Sequence, residues 1–202
     1  MKFKDLICVL LLSSMCVGLT GCSKDARECK KTGLAFIEAG LDFDYEGMEE
    51  YCRDDEVIDE MRRTADSQFS SIAQRTMDEL FEHSDVRVDS VDVGESKVSV
   101  TYIITIPNPE DVVHEIGEGS DVDEAVEAVS DTAEYEIELE FVNKHDEWLV
   151  SNPHDFFSDF IFELYSDSLT IIPHGGSIDI VDFPSEAVET EQVFETVRET
   201  VQ

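Results

Sequence analysis

Glu134-Tyr135-Glu136-Ile137-Glu138-Leu139-Glu140-Phe141 alternates a glutamate with an apolar or aromatic residue four times in succession. Side chains of a β-strand point to opposite faces in turn, so this stretch specifies a strand with one face in a core and one in water. Neighbours along one face lie only about 7 Å apart, and burying the glutamate row would stack like charges out of water. The fold must therefore leave one side of its sheet solvated. Downstream, Asn143 to Asp146 turns the chain, and Glu147-Trp148-Leu149-Val150 returns as an antiparallel partner.

Working back from this hairpin, period-2 patterning appears twice more. Val98, Val100, Tyr102, Ile104 and Ile106 share one face while Ser99, Thr101 and Thr105 share the other, and Pro107 ends the strand. Before it, Val86 and Val88 alternate on one parity and Val91 and Val93 on the opposite one, which predicts a bulge near Ser90 and a turn at Gly94-Glu95-Ser96. Between strands, Asn108-Pro109-Glu110-Asp111 reads as N-cap, proline at the first helical position and acids in the first turn. Gly117 and Gly119 break that helix, and Ser120-Asp121-Val122-Asp123 resembles a capping box that starts another. Residues 107–132 are thus a helical insertion.

Period 3.6 governs the rest. Leu34, Ile37 and Leu41, with Cys29 and Phe36, predict a first helix from Asp25 to about Leu41, interrupted at Gly40 and by Asp42 to Gly47. A short helix from Tyr45 to Cys52 follows. Asp54-Asp55 then caps a single long helix with Ile58, Met61, Ala65, Phe69, Ile72, Ala73, Met77 and Leu80 on one stripe. After the last strand, Asn152-Pro153-His154-Asp155 repeats the cap-and-proline start, and Phe156, Phe157, Phe160, Ile161 and Leu164 make a broad apolar face. Residues 167–202 read as an extension: a minor hairpin pairing 169–172 with 177–183, then an acidic tail.

This element order predicts an α+β domain over residues 22–166, with N-terminal helices packed on a curved antiparallel sheet. The layout resembles the NTF2-like (cystatin-like) domains of many small bacterial lipoproteins, over roughly residues 24–165. The resemblance implies a cone-shaped pocket between helices and sheet, and the insertion and the C-terminal extension depart from its minimal pattern.

The N-terminus gives an address. Lys2 and Lys4 precede an apolar run from Leu6 to Val17, the layout of a secretory signal and too short to span a bilayer. It ends at Leu19-Thr20-Gly21-Cys22, which resembles the lipobox of bacterial lipoproteins. That resemblance implies that residues 1–21 are a removed signal peptide and that Cys22 becomes the acylated first residue of a chain held on the outer, extracytoplasmic face of the cell membrane. Loss of Lys2, Lys4 and Asp5 takes the formal net charge from −34 to −35. No nucleic-acid partner is expected, because binding a polyanion requires a basic surface that releases counterions. By the same measure, membrane attachment is expected to rest on the acyl chains alone. A wet glutamate face also disfavours pairing of copies through the sheet, so a monomer is expected.

With Cys8 and Cys16 in the signal and Cys22 acylated, Cys29 and Cys52 remain. An even pair in an exported chain permits a disulfide, which would close a loop of about two dozen residues and contribute roughly 3 kcal/mol; two buried free thiols would look the same in sequence.

No constellation carries chemistry. Asp42-Phe43-Asp44-Tyr45-Glu46-Gly47 imitates the opening of an EF-hand loop, but the twelfth position is Arg53 where a bidentate glutamate is needed. His83, His114, His145, His154 and His174 stand far apart, with no spacing that makes ligands converge on a metal. There is no Gly-rich phosphate loop, nucleophile elbow or Cys-His pair. No metal, cofactor or catalytic residue is therefore expected. The reading that follows is a non-enzymatic module that binds an envelope protein or small ligand. The alternatives are an enzyme that uses the cone as its active site and an accessory subunit of an envelope complex.

Overall fold

A computed structural model describes residues 24–94 and 96–171, which fall within one compact unit. Helices α1 (Lys24–Leu41), α2 (Tyr45–Glu50), α3 (Asp55–Gln68) and α4 (Ser71–Glu82) come first. Strands β1 (Asp85–Val93) and β2 (Val98–Pro107) follow, then α5 (Pro109–Gly117) and α6 (Val122–Ala128), then β3 (Thr132–Lys144) and β4 (Glu147–Val150). The last helical segment runs as α7 (Pro153–Phe156), a π-helical stretch Phe157–Phe162 and α8 (Glu163–Asp167). The predicted class holds: this is an α+β chain on one open, antiparallel, four-stranded sheet, ordered β1-β2-β3-β4.

Register follows from the alternation. Tyr102 stands opposite Ile137, Val100 opposite Leu139 and Ile104 opposite Tyr135, so both strands turn their apolar residues to the helices. On the other face Ser99, Thr101 and Thr105 stand opposite Glu140, Glu138 and Glu134. The shift in β1 occurs between Val88 and Ser90, and the extra residue returns Val91 and Val93 to the inner face, opposite Val100 and Val98. The insertion is closed at its neck by the Asn108 N–H donating to the Asp131 carbonyl at 2.8 Å. Asn108 caps α5 by accepting from the Glu110 N–H, with Pro109 at its start.

The core is densely aromatic. Phe36, Tyr102, Phe141, Phe156 and Phe160 are each at most 1 % exposed. The Tyr102 hydroxyl donates toward the carbonyls of Cys29 and Lys30 on α1 (3.3 and 3.2 Å), so the central strand is fastened to the first helix inside the core. The outer edge of β4 is covered: Cys52 bridges to Val150, whose N–H donates to the Tyr51 carbonyl while its carbonyl accepts from the Arg53 N–H.

Several local expectations are corrected. The long helix is two. Phe69 and Ser70 are extended (ψ 130° and 154°), and the Ser70 hydroxyl accepts from the Ala73 N–H as the N-cap of α4. The break turns Phe69 onto Phe157 and Tyr165, with ring centroids 6.2 and 4.5 Å away. Gly40 does not interrupt α1. It lies buried in it, where a Cβ would come within 2.5 Å of the Phe156 ring. The N-cap of α6 is Asp121, one residue beyond the expected Ser120. Asn152 is no side-chain cap. Its Oδ1 accepts from the Glu140 N–H at 2.7 Å and its Nδ2 donates to the Glu138 carbonyl at 3.0 Å, extending the ladder along β3 where β4 has ended. Leu169–Ile171 is a turn of 3-10 helix, and the remainder of the hairpin read over 169–183 lies outside the described residues, as does the acidic tail.

Candidate functional site

The space between sheet and helices, where the resemblance places a pocket, is occupied by side chains. Phe156 and Phe160 pack against each other at a tilt (centroids 5.7 Å) and fill it, with Phe36 against the first and Phe81 and Tyr135 against the second. Besides the Tyr102 hydroxyl and the Cys29 and Cys52 thiols, the buried polar side chains among the described residues are Thr76 and Ser168, and Thr76 donates to the Ile72 carbonyl at 2.8 Å. No described carboxylate or histidine is buried, so none is desolvated inside the core. Asp78 and Glu79 on α4 have raised pKa values, owing first to partial burial and then to neighbouring carboxylates.

Two carboxylate-lined depressions lie on the surface of the described residues. One, of about 450 Å³, lies where α1 meets α2 and is lined by Glu38, Asp42, Asp44, Glu46 and Glu50, with Gly47 and Tyr51. Its lining includes Asp42, Asp44, Glu46 and Gly47 of the EF-hand-like hexapeptide, but the Asp44 carboxylate is engaged as the N-cap of α2, accepting from the Gly47 N–H at 3.0 Å. Phe43, at φ 51°, turns its ring toward Phe81 (5.9 Å). The other, of about 300 Å³, is lined by Asp111, His114 and Glu115 of α5 and residues 128–131. Among the described residues no set of three His, Cys, Asp or Glu side chains converges as metal ligands would. The histidines stay dispersed: His83 ends α4, His114 is in the last turn of α5, His145 is in the β3–β4 turn at φ 57° and His154 is in the first turn of α7; His174 lies outside the described residues.

Cys22 and residues 1–21 also lie outside the described residues. Cys29 and Cys52 lie within them, and the disulfide considered between them is not formed: both are buried free thiols. Cys52 Sγ accepts from the Asp54 N–H and donates to the Asp54 carbonyl, each at 3.4 Å, which holds the turn into α3 without a bridge. Burial, with Asp25 adding to it, pushes the Cys29 thiol up to about 12, and burial raises that of Cys52 as well. The thiolate is the nucleophile, so both groups are unreactive at neutral pH while the fold persists. Alkylation of the native protein at pH 8, read by peptide mass, is expected to leave Cys29 and Cys52 unmodified. Denaturant without reductant is expected to expose both, and a disulfide-linked pair would contradict this.

The solvated sheet face carries a row of acids. Glu134, Glu136 and Glu138 are exposed, and Asp85 and Asp92 on β1 share their side. Two cations temper the row: Arg87 reaches Glu134 (3.2 Å) and Lys97 pairs with Glu140. Ile103, opposite Glu136 on that face, is only 8 % exposed.

Sequence patterning missed a second charged surface, of opposite sign. Lys24, Arg27, Lys30 and Lys31 lie in the first two turns of α1, and spacings of three and four put Lys24, Arg27 and Lys31 on one side. All three are exposed. The signal was present as a local cluster, hidden beneath a net charge of −34.

No helix among the described residues is long and apolar enough to cross a membrane. Compared with known proteins, the chain matches no family model and no curated protein sequence.

Proposed function

We propose that this chain is a lipid-anchored protein of the outer, extracytoplasmic face of the cell membrane, whose NTF2-like (cystatin-like) α+β domain serves as a non-enzymatic binding module. The observation that carries the reading is the order Lys2 and Lys4, apolar Leu6 to Val17, then Leu19-Thr20-Gly21-Cys22. A basic, then apolar, then small-residue-plus-cysteine sequence is what export and acylation at a cysteine require. Support for a binding rather than a catalytic role comes from the filled interior. An active site in the cone would place a carboxylate or histidine in a water-poor cavity, and the described core offers phenylalanines instead. Recognition of an envelope protein or small ligand then uses the outer surface. The solvated glutamate row of β3 keeps that side of the sheet from self-association, so the protein is a monomer.

Cys22→Ala tests the anchor. Two acyl chains hold a protein stably on a bilayer where none would. The variant is expected to accumulate as unprocessed precursor or to be lost to the medium, while the circular dichroism of the folded domain is unchanged. Membrane retention equal to the parent protein after a high-salt wash would overturn the assignment.

A further inference from the structure

We infer that the first two turns of α1 form a docking surface for anionic lipid headgroups, which holds the domain with this end against the bilayer. The inference rests on the anchor reading above, since acylated Cys22 would stand two residues before Lys24. Lys24, Arg27, Lys30 and Lys31 are four of the chain's 14 basic residues, gathered within eight positions. The acids among them are engaged: Glu28 pairs with Lys24 at 3.4 Å, and Asp25 accepts from the Trp148 indole N–H at 3.4 Å. The helix dipole does not account for this placement. A helix N-terminus carries partial positive charge, and cations in the first turn are disfavoured there. Exposed cations gathered on one side of a helix, Lys24, Arg27 and Lys31, make a surface that fits an anionic partner. Charge complementarity names it, because cations beside a bilayer are drawn to its anionic headgroups within about 10 Å of the surface. The rest of the molecule sharpens the orientation, since the face bearing Glu136 and Glu138 is repelled by the same surface. Whole-chain charge, which argues against any electrostatic attachment, averages these opposing faces away.

Trp148 is the chain's one tryptophan, and its bond to Asp25 places it at this end of the molecule. It is therefore a native reporter. Protein extracted from membranes is reconstituted on vesicles of phosphatidylcholine alone, or of equal parts phosphatidylcholine and phosphatidylglycerol, each with a dansyl-labelled headgroup, and energy transfer from Trp148 is measured. Stronger transfer on the anionic vesicles, returning to the neutral value in high salt and in R27E/K31E, is expected; each cation near an anionic surface favours the docked orientation about fivefold, so the double reversal should reduce it more than tenfold. Equal transfer on both vesicles, or an excess that survives R27E/K31E, would overturn the inference. The N-terminal peptide mass of the same preparation separates the two readings. An unacylated Cys22 defeats the anchor alone. The vesicle comparison then reads direct binding of the unacylated chain, and the same salt-sensitive, substitution-sensitive excess still decides for or against the patch.

Discussion

Phe160→Ala is expected to destabilise the domain by about 3–5 kcal/mol, the range for truncating a fully buried phenylalanine. Phe160 is 0 % exposed, and its ring centre lies 5.6 Å from that of Phe81, 5.1 Å from Tyr135 and 5.7 Å from Phe156. It joins α4, β3 and the C-terminal helix in one cluster, so its removal opens a cavity that no single element can close by moving. A natural domain of this size has about 5–15 kcal/mol in total, so the variant sits near the edge of folding. Urea denaturation with a shared m-value measures it. Phe162→Ala, in the same π-helical stretch but only half-buried, is the comparison and is expected to lose markedly less. Equal losses at the two positions would mean that the cluster does not hold the C-terminal helix to the sheet.

Gly33→Ala is the second large effect, and its sign opposes local propensity. Alanine is favoured over glycine in a helix interior by about 1 kcal/mol. At this site, however, a Cβ would stand 2.0 Å from the Tyr102 hydroxyl oxygen, 2.6 Å from its Cζ and 2.8 Å from Phe141 Cζ. Both rings are wholly buried and have no free space to retreat into. Overpacking of this kind costs about 1–3 kcal/mol, and contacts this short put the net loss at the upper end despite the propensity gain. Tyr102→Phe removes the nearest atom, so the double variant should recover part of the loss, giving a coupling energy of about 1 kcal/mol in a double-mutant cycle. Additive losses would show that α1 does not rest on β2 through Gly33.

These two positions also mark where the sequence speaks and where it is silent. The strand over 134–141, the bulge beside Ser90 and the Asn108-Pro109 helix start were legible because each is dictated by neighbours in the chain. Gly33 and Gly40 were not, because a glycine within a helical pattern looks like a weak point until the ring packed on it is known. The break at Phe69-Ser70 was hidden for a similar reason: the apolar stripe continues in phase through it, and only the Ser70 cap and the rings awaiting Phe69 end the helix. Asn152 shows a right residue with another role, its amide bonding the β3 backbone and the Asp155 carboxylate while capping no backbone N–H of the following helix. For the surface, net charge concealed what local spacing contained, since Lys24, Arg27 and Lys31 share one side of a helix in a chain otherwise dominated by acid.

Acylation of Cys22 is read from the mass of the N-terminal peptide of protein extracted from the producing cell's membranes. That peptide is expected to begin at Cys22 and to be heavier than its unmodified sequence by the acyl chains carried on the cysteine. A peptide that retains residues 1–21, or one that begins elsewhere and leaves Cys22 unmodified, would contradict the anchor.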